Sequence, residues 1–183
     1  HDHPHTVYAS LGEEYAKHCA IGMAASKTFS LAGLACGNII VPDPDNHAKL
    51  VAEVARSGAY ADSAFGTLAL EVGYEQCEPW VDQLVDYLGE NYRYLVDFMA
   101  QHFPKVWIAP LEGTYLTWID FSSFSLDDAA LADFLEQEAK LYLSHGINYG
   151  GPGFMRLNLA CSRQVLHAAL ERLVQAAKAR GFV

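Results

Sequence analysis

Basic residues are scarce in this sequence: 12 Lys and Arg stand against 22 Asp and Glu, a formal net charge of −10. So acidic a chain has little with which to neutralise a phosphate backbone, and no basic stripe interrupts the pattern. A nucleic-acid partner is therefore not expected. Cysteine is scarce too. Cys19, Cys36, Cys77 and Cys161 lie far apart and form no Cys-x-x-Cys pair, which suits reduced thiols in a cytoplasmic enzyme better than a disulfide scaffold or a zinc site. No apolar run reaches the roughly 18 residues that a membrane span needs, so no membrane partner is expected. The opening His1-Asp2-His3-Pro4-His5 has neither the charged start nor the apolar core of a signal peptide, and no initiating Met precedes it. It reads as a tag remnant or the middle of a longer protein. The alternating His1, His3 and His5 read as terminal residues rather than as a metal site. Internal repeats and low-complexity tracts are also missing.

What is present is ordinary globular material. Hydrophobic residues make up 51% of the 183 and charged residues 19%, and a chain of this length buries about 70% of its unfolded surface without staples. It is long enough for one large domain, or for one domain and part of another.

The apolar runs His18–Ala25 and Gly37–Val41 read as buried strands, the second stopped by Pro42-Asp43-Pro44-Asp45. A helix is expected over residues 46–56, with Leu50, Val51 and Val54 on one face, and another over residues 67–74. Pro79 suits the first residue of a long helix. Val81, Leu84, Val85, Leu88, Tyr92, Leu95, Val96 and Met99 then follow one apolar stripe that ends before Pro104. Residues 106–108 and 114–120 read as strands around a Glu112-Gly113 turn. A helix at 127–138, strands at 141–144 and 154–160, and a final helix capped by Ser162 complete the pattern. This places a partial large domain at 1–78, a connecting helix at 79–103 and a small α+β domain at 104–183.

The stretch that bears chemistry is Ala25-Ser26-Lys27-Thr28-Phe29-Ser30-Leu31-Ala32-Gly33-Leu34. One lysine follows an apolar strand and precedes a glycine-containing turn. Most lysines at strand ends are simply solvated. An amine at the mouth of a sheet is also what Schiff-base chemistry requires. Arg156 allows a similar pair of readings, an ordinary strand arginine in an ion pair or a fork that grips a carboxylate with two parallel hydrogen bonds. The Gly146–Gly153 loop lacks the Lys-Ser/Thr of a P-loop, and Tyr115 and Trp118 read as packing residues of the small domain.

Residues 26–34 resemble the S-K-T-F-N-I-A-G-L signature of class I/II aminotransferases, and are most similar to its cystathionine β-lyase-like (C–S β-lyase) members. The similarity continues in order at His5–Leu11, at Glu112–Asp120 and at Gly153–Arg163, so it covers nearly the whole chain. It implies the C-terminal half of a fold-type-I enzyme that depends on pyridoxal 5′-phosphate (PLP). That fold is α/β, and the chain would hold part of a large sheet domain, a long connecting helix and a small α+β domain. By the same resemblance Lys27 forms the internal aldimine and carries the proton to and from the substrate. Ser26 contacts the cofactor phosphate, and Arg156 binds the carboxylate of a small-molecule amino-acid substrate.

The arginine that many class I members carry eight residues after the lysine is Ala35 here, so phosphate binding rests on other groups. This departure leans toward the lyase branch. The resemblance further implies a homodimer for the full-length protein. It also implies that the acid paired with the pyridine nitrogen lies ahead of this segment, Asp2 standing too late for it. The segment alone is expected to be inactive. The competing reading is a non-catalytic, partner-binding or regulatory remnant of the same fold.

Overall fold

The structure, a computed structural model, describes residues 3–59 and 63–183. The chain divides into two compact units, Pro4–Leu84 and a second that contains Val85–Val183.

The first unit is short of core. After a 3-10 turn at Tyr8–Leu11 and a single turn α1 (Glu13–Ala16), strand β1 (Ile21–Met23) pairs antiparallel with β2 (Asn38–Ile40), Ile21 opposite Ile40. The antiparallel sense follows from the connection. Residues 24–37 form turns and a 3-10 segment, with no crossover helix to bring the chain back parallel. Among the described residues each strand pairs only with the other.

Helix α2 (Pro44–Ser57) begins where the Asp43 carboxylate accepts from the Asn46 amide at 2.8 Å, with Pro44 in first place. It ends at Gly58, whose φ of +73° makes the left-handed cap. Helix α3 (Ala64–Gln76) is capped by the Ser63 hydroxyl. No residue of α2 is buried, Val51 and Val54 of the expected apolar face included. Phe65 and Leu68 of α3 also face outward.

Helix α4 (Glu78–His102) spans the division between the units, with Pro79 as its second residue. Past that division Leu88, Leu95, Phe98 and Met99 are buried, and so is Asn91. The second unit carries four antiparallel strands in the order β3 (Trp107–Ile108), β4 (Leu116–Asp120), β6 (Phe154–Asn158), β5 (Ser144–His145). Alternation along β4 and β6 buries Thr117, Ile119, Met155 and Leu157, and leaves Leu116, Trp118, Phe154 and Arg156 half-exposed on the opposite face. Helix α6 (Arg163–Arg180), capped by Ser162, adds Leu166, Leu170, Leu173 and Val174 to the core.

The strands expected to be buried in the first unit are three residues each with none buried, and two expected elements of the second unit also come out differently. The helix read at 127–138 begins as α5 (Asp128–Asp133) and widens into a π-helical turn at Phe134–Glu138. The strand read at 141–144 pairs only from Ser144. The Leu141 amide bonds the Leu135 carbonyl at 2.8 Å, so it is not available to a ladder. A buried polar junction then ends β6. The Asn91 amide nitrogen donates to the carbonyls of Leu159 and Cys161, both at 3.0 Å, while its oxygen accepts from Arg163 Nε at 2.7 Å.

Candidate active site

Lys27 lies in the turn that follows β1, and its side chain is exposed. Among the described residues it has no hydrogen bond or ion pair. The turn itself is well fixed. The Phe29 amide donates to the Ala25 carbonyl at 2.9 Å and the Leu31 amide to the Ser26 carbonyl at 3.0 Å, while Ala25 is buried. Ser30 closes the turn with φ of +57°, a left-handed conformation in which Asn is far commoner than Ser. The family signature has Asn at this position, so the backbone explains that letter of the motif.

Two glycines of α3 seat the segment. A Cβ on Gly73 would stand 3.0 Å from the Phe29 ring, and one on Gly66 would stand 2.8 Å from Cys36 Cβ. Phe29 also meets Tyr74 edge-on at 5.7 Å and Trp80 at 6.1 Å. The segment bearing Lys27 is thus fastened to α3 by an aromatic ring two residues on. Beside that ring an apolar hollow of about 310 Å³ opens between Phe29, Val72 and Trp80. Its lining carries no charged side chain. The hydroxyl beside the lysine, on half-buried Ser26, has no partner among the described residues.

Arg156 belongs to the second unit. It stands on β6 opposite Trp118 of β4 and Ser144 of β5. Its guanidinium carbon lies 4.5 Å over the centre of the Tyr149 ring, and Nη2 donates to Ser144 Oγ at 3.2 Å. The ion pair of an ordinary strand arginine is missing: no carboxylate among the described residues pairs with it. A guanidinium offers five N–H donors, and most of these remain unspent.

The sequence reading did not single out Tyr149 or Ser144, which contact Arg156, and it read Trp118 as a packing residue. Strand alternation carried the signal for Trp118, which shares the half-exposed face with Arg156 and stacks on Phe154 at 5.4 Å. Tyr149 had no periodic signal, since it lies in the 3-10 turn Gly146–Tyr149. Of the terminal histidines, His3 and His5 are exposed and His1 lies outside the described residues. No group of three metal-ligating side chains occurs among the described residues. Cys161, partly buried, has its thiol pushed above the usual range by loss of solvent.

Among the described residues neither the Lys27 amine nor the Arg156 guanidinium, one in each unit, has a carboxylate partner. Residues 3–173 match the description of aminotransferase class I and II, and the chain belongs to that family.

Cystathionine β-lyase PatB of Bacillus subtilis is 38% identical over 173 residues, covering 93% of this chain and 45% of that protein. Protein MalY of Escherichia coli is 34% identical, over 87% of this chain and 42% of its own length. Cystalysin from Treponema denticola, whose crystal structure contains a PLP cofactor, superposes with a TM-score of 0.90 at 33% identity. That match covers 98% of this chain and 46% of cystalysin. The fold is thus part of the PLP-dependent aminotransferase fold, and the chain spans about 45% of the length of PatB.

Proposed function

We propose that this chain is the lysine-bearing part of a longer PLP-dependent enzyme, a C–S β-lyase or aminotransferase that acts on small amino acids such as cystathionine. The observation that carries this reading is the Lys27 amine, free of partners among the described residues and set on a turn held by two backbone hydrogen bonds. An aldehyde cofactor needs such an amine, unencumbered by a carboxylate, and its phosphate needs a hydrogen-bond donor. Ser26 and Lys27 supply that pair in adjacent positions, so the residues present fit the group. PLP, when bound, serves as the electron sink for a carbanion at the substrate α-carbon.

The rest falls to the chain's own side chains. The Lys27 amine would hold the cofactor through its aldehyde and would also move the proton at the substrate α-carbon. One group can do both only if it stays within hydrogen-bond reach of that carbon. The Ser26 hydroxyl would donate to the cofactor phosphate. Arg156 binds the substrate α-carboxylate through its unspent donors, each charge-assisted bond being worth about 1.5–3 kcal/mol. The four cysteines are free thiols, and we place the enzyme in the cytoplasm as a homodimer.

Lyase and aminotransferase share the proton removal and differ in what leaves afterwards. Assaying the full-length protein with L-cystathionine decides between them. Homocysteine, pyruvate and ammonia in equal amounts are the expected products of the lyase, and amino transfer to a keto acid marks the aminotransferase. Neither reaction with any amino acid would refute both.

A further inference from the structure

We infer that Tyr149 is a positioning residue for Arg156, and that Tyr149 and Ser144 together orient the guanidinium so that its free edge selects substrates bearing an α-carboxylate. This deepens the function proposed above and rests on that reading of Arg156.

A strand arginine on an open sheet face has four rotatable side-chain bonds and, without restraint, samples many directions. Here two contacts from different elements remove that freedom. Tyr149, on the turn before β6, covers one face of the guanidinium at 4.5 Å, within the roughly 6 Å of a cation–π contact. Ser144, on β5, accepts from Nη2 at 3.2 Å and so occupies one edge.

The Tyr149 ring is itself braced. Trp118 meets it edge-on at 6.0 Å, and Trp118 stacks on Phe154 with the rings 17° from parallel. The tyrosine hydroxyl makes no hydrogen bond among the described residues, so its contribution to Arg156 is the ring face. One face and one edge are thus taken by neutral groups, and none of the charge is neutralised by a carboxylate. What remains for a ligand is a fixed, charged fork. A planar carboxylate satisfies that fork, and an amine without one gains nothing from it.

The test uses the full-length protein loaded with PLP and two unreactive probes, 2-aminoisobutyrate, which has an α-carboxylate, and isopropylamine, which has none. Binding is read from the change in cofactor absorbance, without turnover. Tyr149→Leu is expected to weaken 2-aminoisobutyrate about tenfold and leave isopropylamine unchanged, while Tyr149→Phe keeps the affinity for both.

Equal binding of 2-aminoisobutyrate by Tyr149→Leu and the unaltered protein would overturn the inference. So would equal weakening of both probes, which marks a merely structural role, or a loss in Tyr149→Phe as large as in Tyr149→Leu. Should Tyr149→Leu fail to fold, Ser144→Ala serves in its place. It is expected to weaken 2-aminoisobutyrate about threefold, and no change overturns the claim. Arg156→Gln separates the two levels. If it leaves 2-aminoisobutyrate binding intact, the carboxylate role of Arg156 itself fails. If it abolishes that binding while Tyr149→Leu and Ser144→Ala do nothing, only the positioning role fails.

Discussion

Two residues in left-handed conformations follow Lys27, Ser30 with φ of +57° and Ala35 with φ of +48°. A side chain with a Cβ is strained there, Asn least among the non-glycine residues. Ser30→Asn is therefore expected to stabilise the protein by about 0.5 kcal/mol, seen as a higher urea midpoint without loss of cofactor binding. Ser30→Val should lower that midpoint, because a β-branched residue tolerates positive φ poorly. Cys161 offers a separate check at the same scale. Burial holds its thiol protonated beyond the ordinary range, so among the four cysteines it should alkylate slowly at neutral pH. Mass spectrometry of partially alkylated protein reads this directly.

At the scale of elements, packing of the lysine turn on α3 makes a sharper prediction. Gly73→Ala places a methyl 3.0 Å from the Phe29 ring, and either the ring or the turn must move. A cost of about 1–3 kcal/mol is expected, together with weaker PLP binding, because the displaced ring belongs to the segment that carries Lys27. A fall in stability with unchanged cofactor affinity would show that the turn and α3 are not coupled in this way.

The link between Glu138 of the π-helical turn and Arg180 of α6 responds to pH. The guanidinium beside Glu138 holds its carboxyl below the usual range. A carboxyl whose folded-state pKa is depressed adds stability above its unfolded value and loses it as pH falls through the folded one. The gap in thermal midpoint between the protein and Glu138→Gln should therefore be level near neutral pH and close on acidification below about pH 4. The pair is exposed, so the effect is small.

Elements with a strong period were legible in the sequence. The apolar stripe of α4 and the Ser162 cap of α6 place both helices to within a residue or two at their starts. What escaped was set by tertiary contacts. Asn91 interrupts the α4 stripe yet is fully buried, because the carbonyls that it satisfies lie 68 and 70 residues away. Similarly, the expected strand at 141–144 is denied its ladder by a π-helical turn that no local pattern announces. Lys27 and Arg156 were singled out by their motifs. Tyr149 was not, since a turn residue has no period to read.

At the scale of the whole molecule, the first unit carries exposed apolar side chains among the described residues. Met23, Ile39 and Ile40 on the strands and Val51, Phe65, Leu68 and Tyr74 on the helices are exposed, and the two-stranded sheet keeps its outer edges unpaired. Such surface and such edges favour association. With the 45% share of PatB that the chain covers, this supports a segment that works inside a longer protein. The 183 residues alone are expected to self-associate in sedimentation and to show no turnover. A monomeric, catalytically active segment would contradict that expectation.

The central claim concerns the amine of Lys27. The full-length protein should be incubated with PLP, reduced with borohydride, digested and mapped by mass spectrometry. A single phosphopyridoxyl group on the peptide that contains Lys27 is the predicted result. The label on another lysine, or on none, would contradict the account.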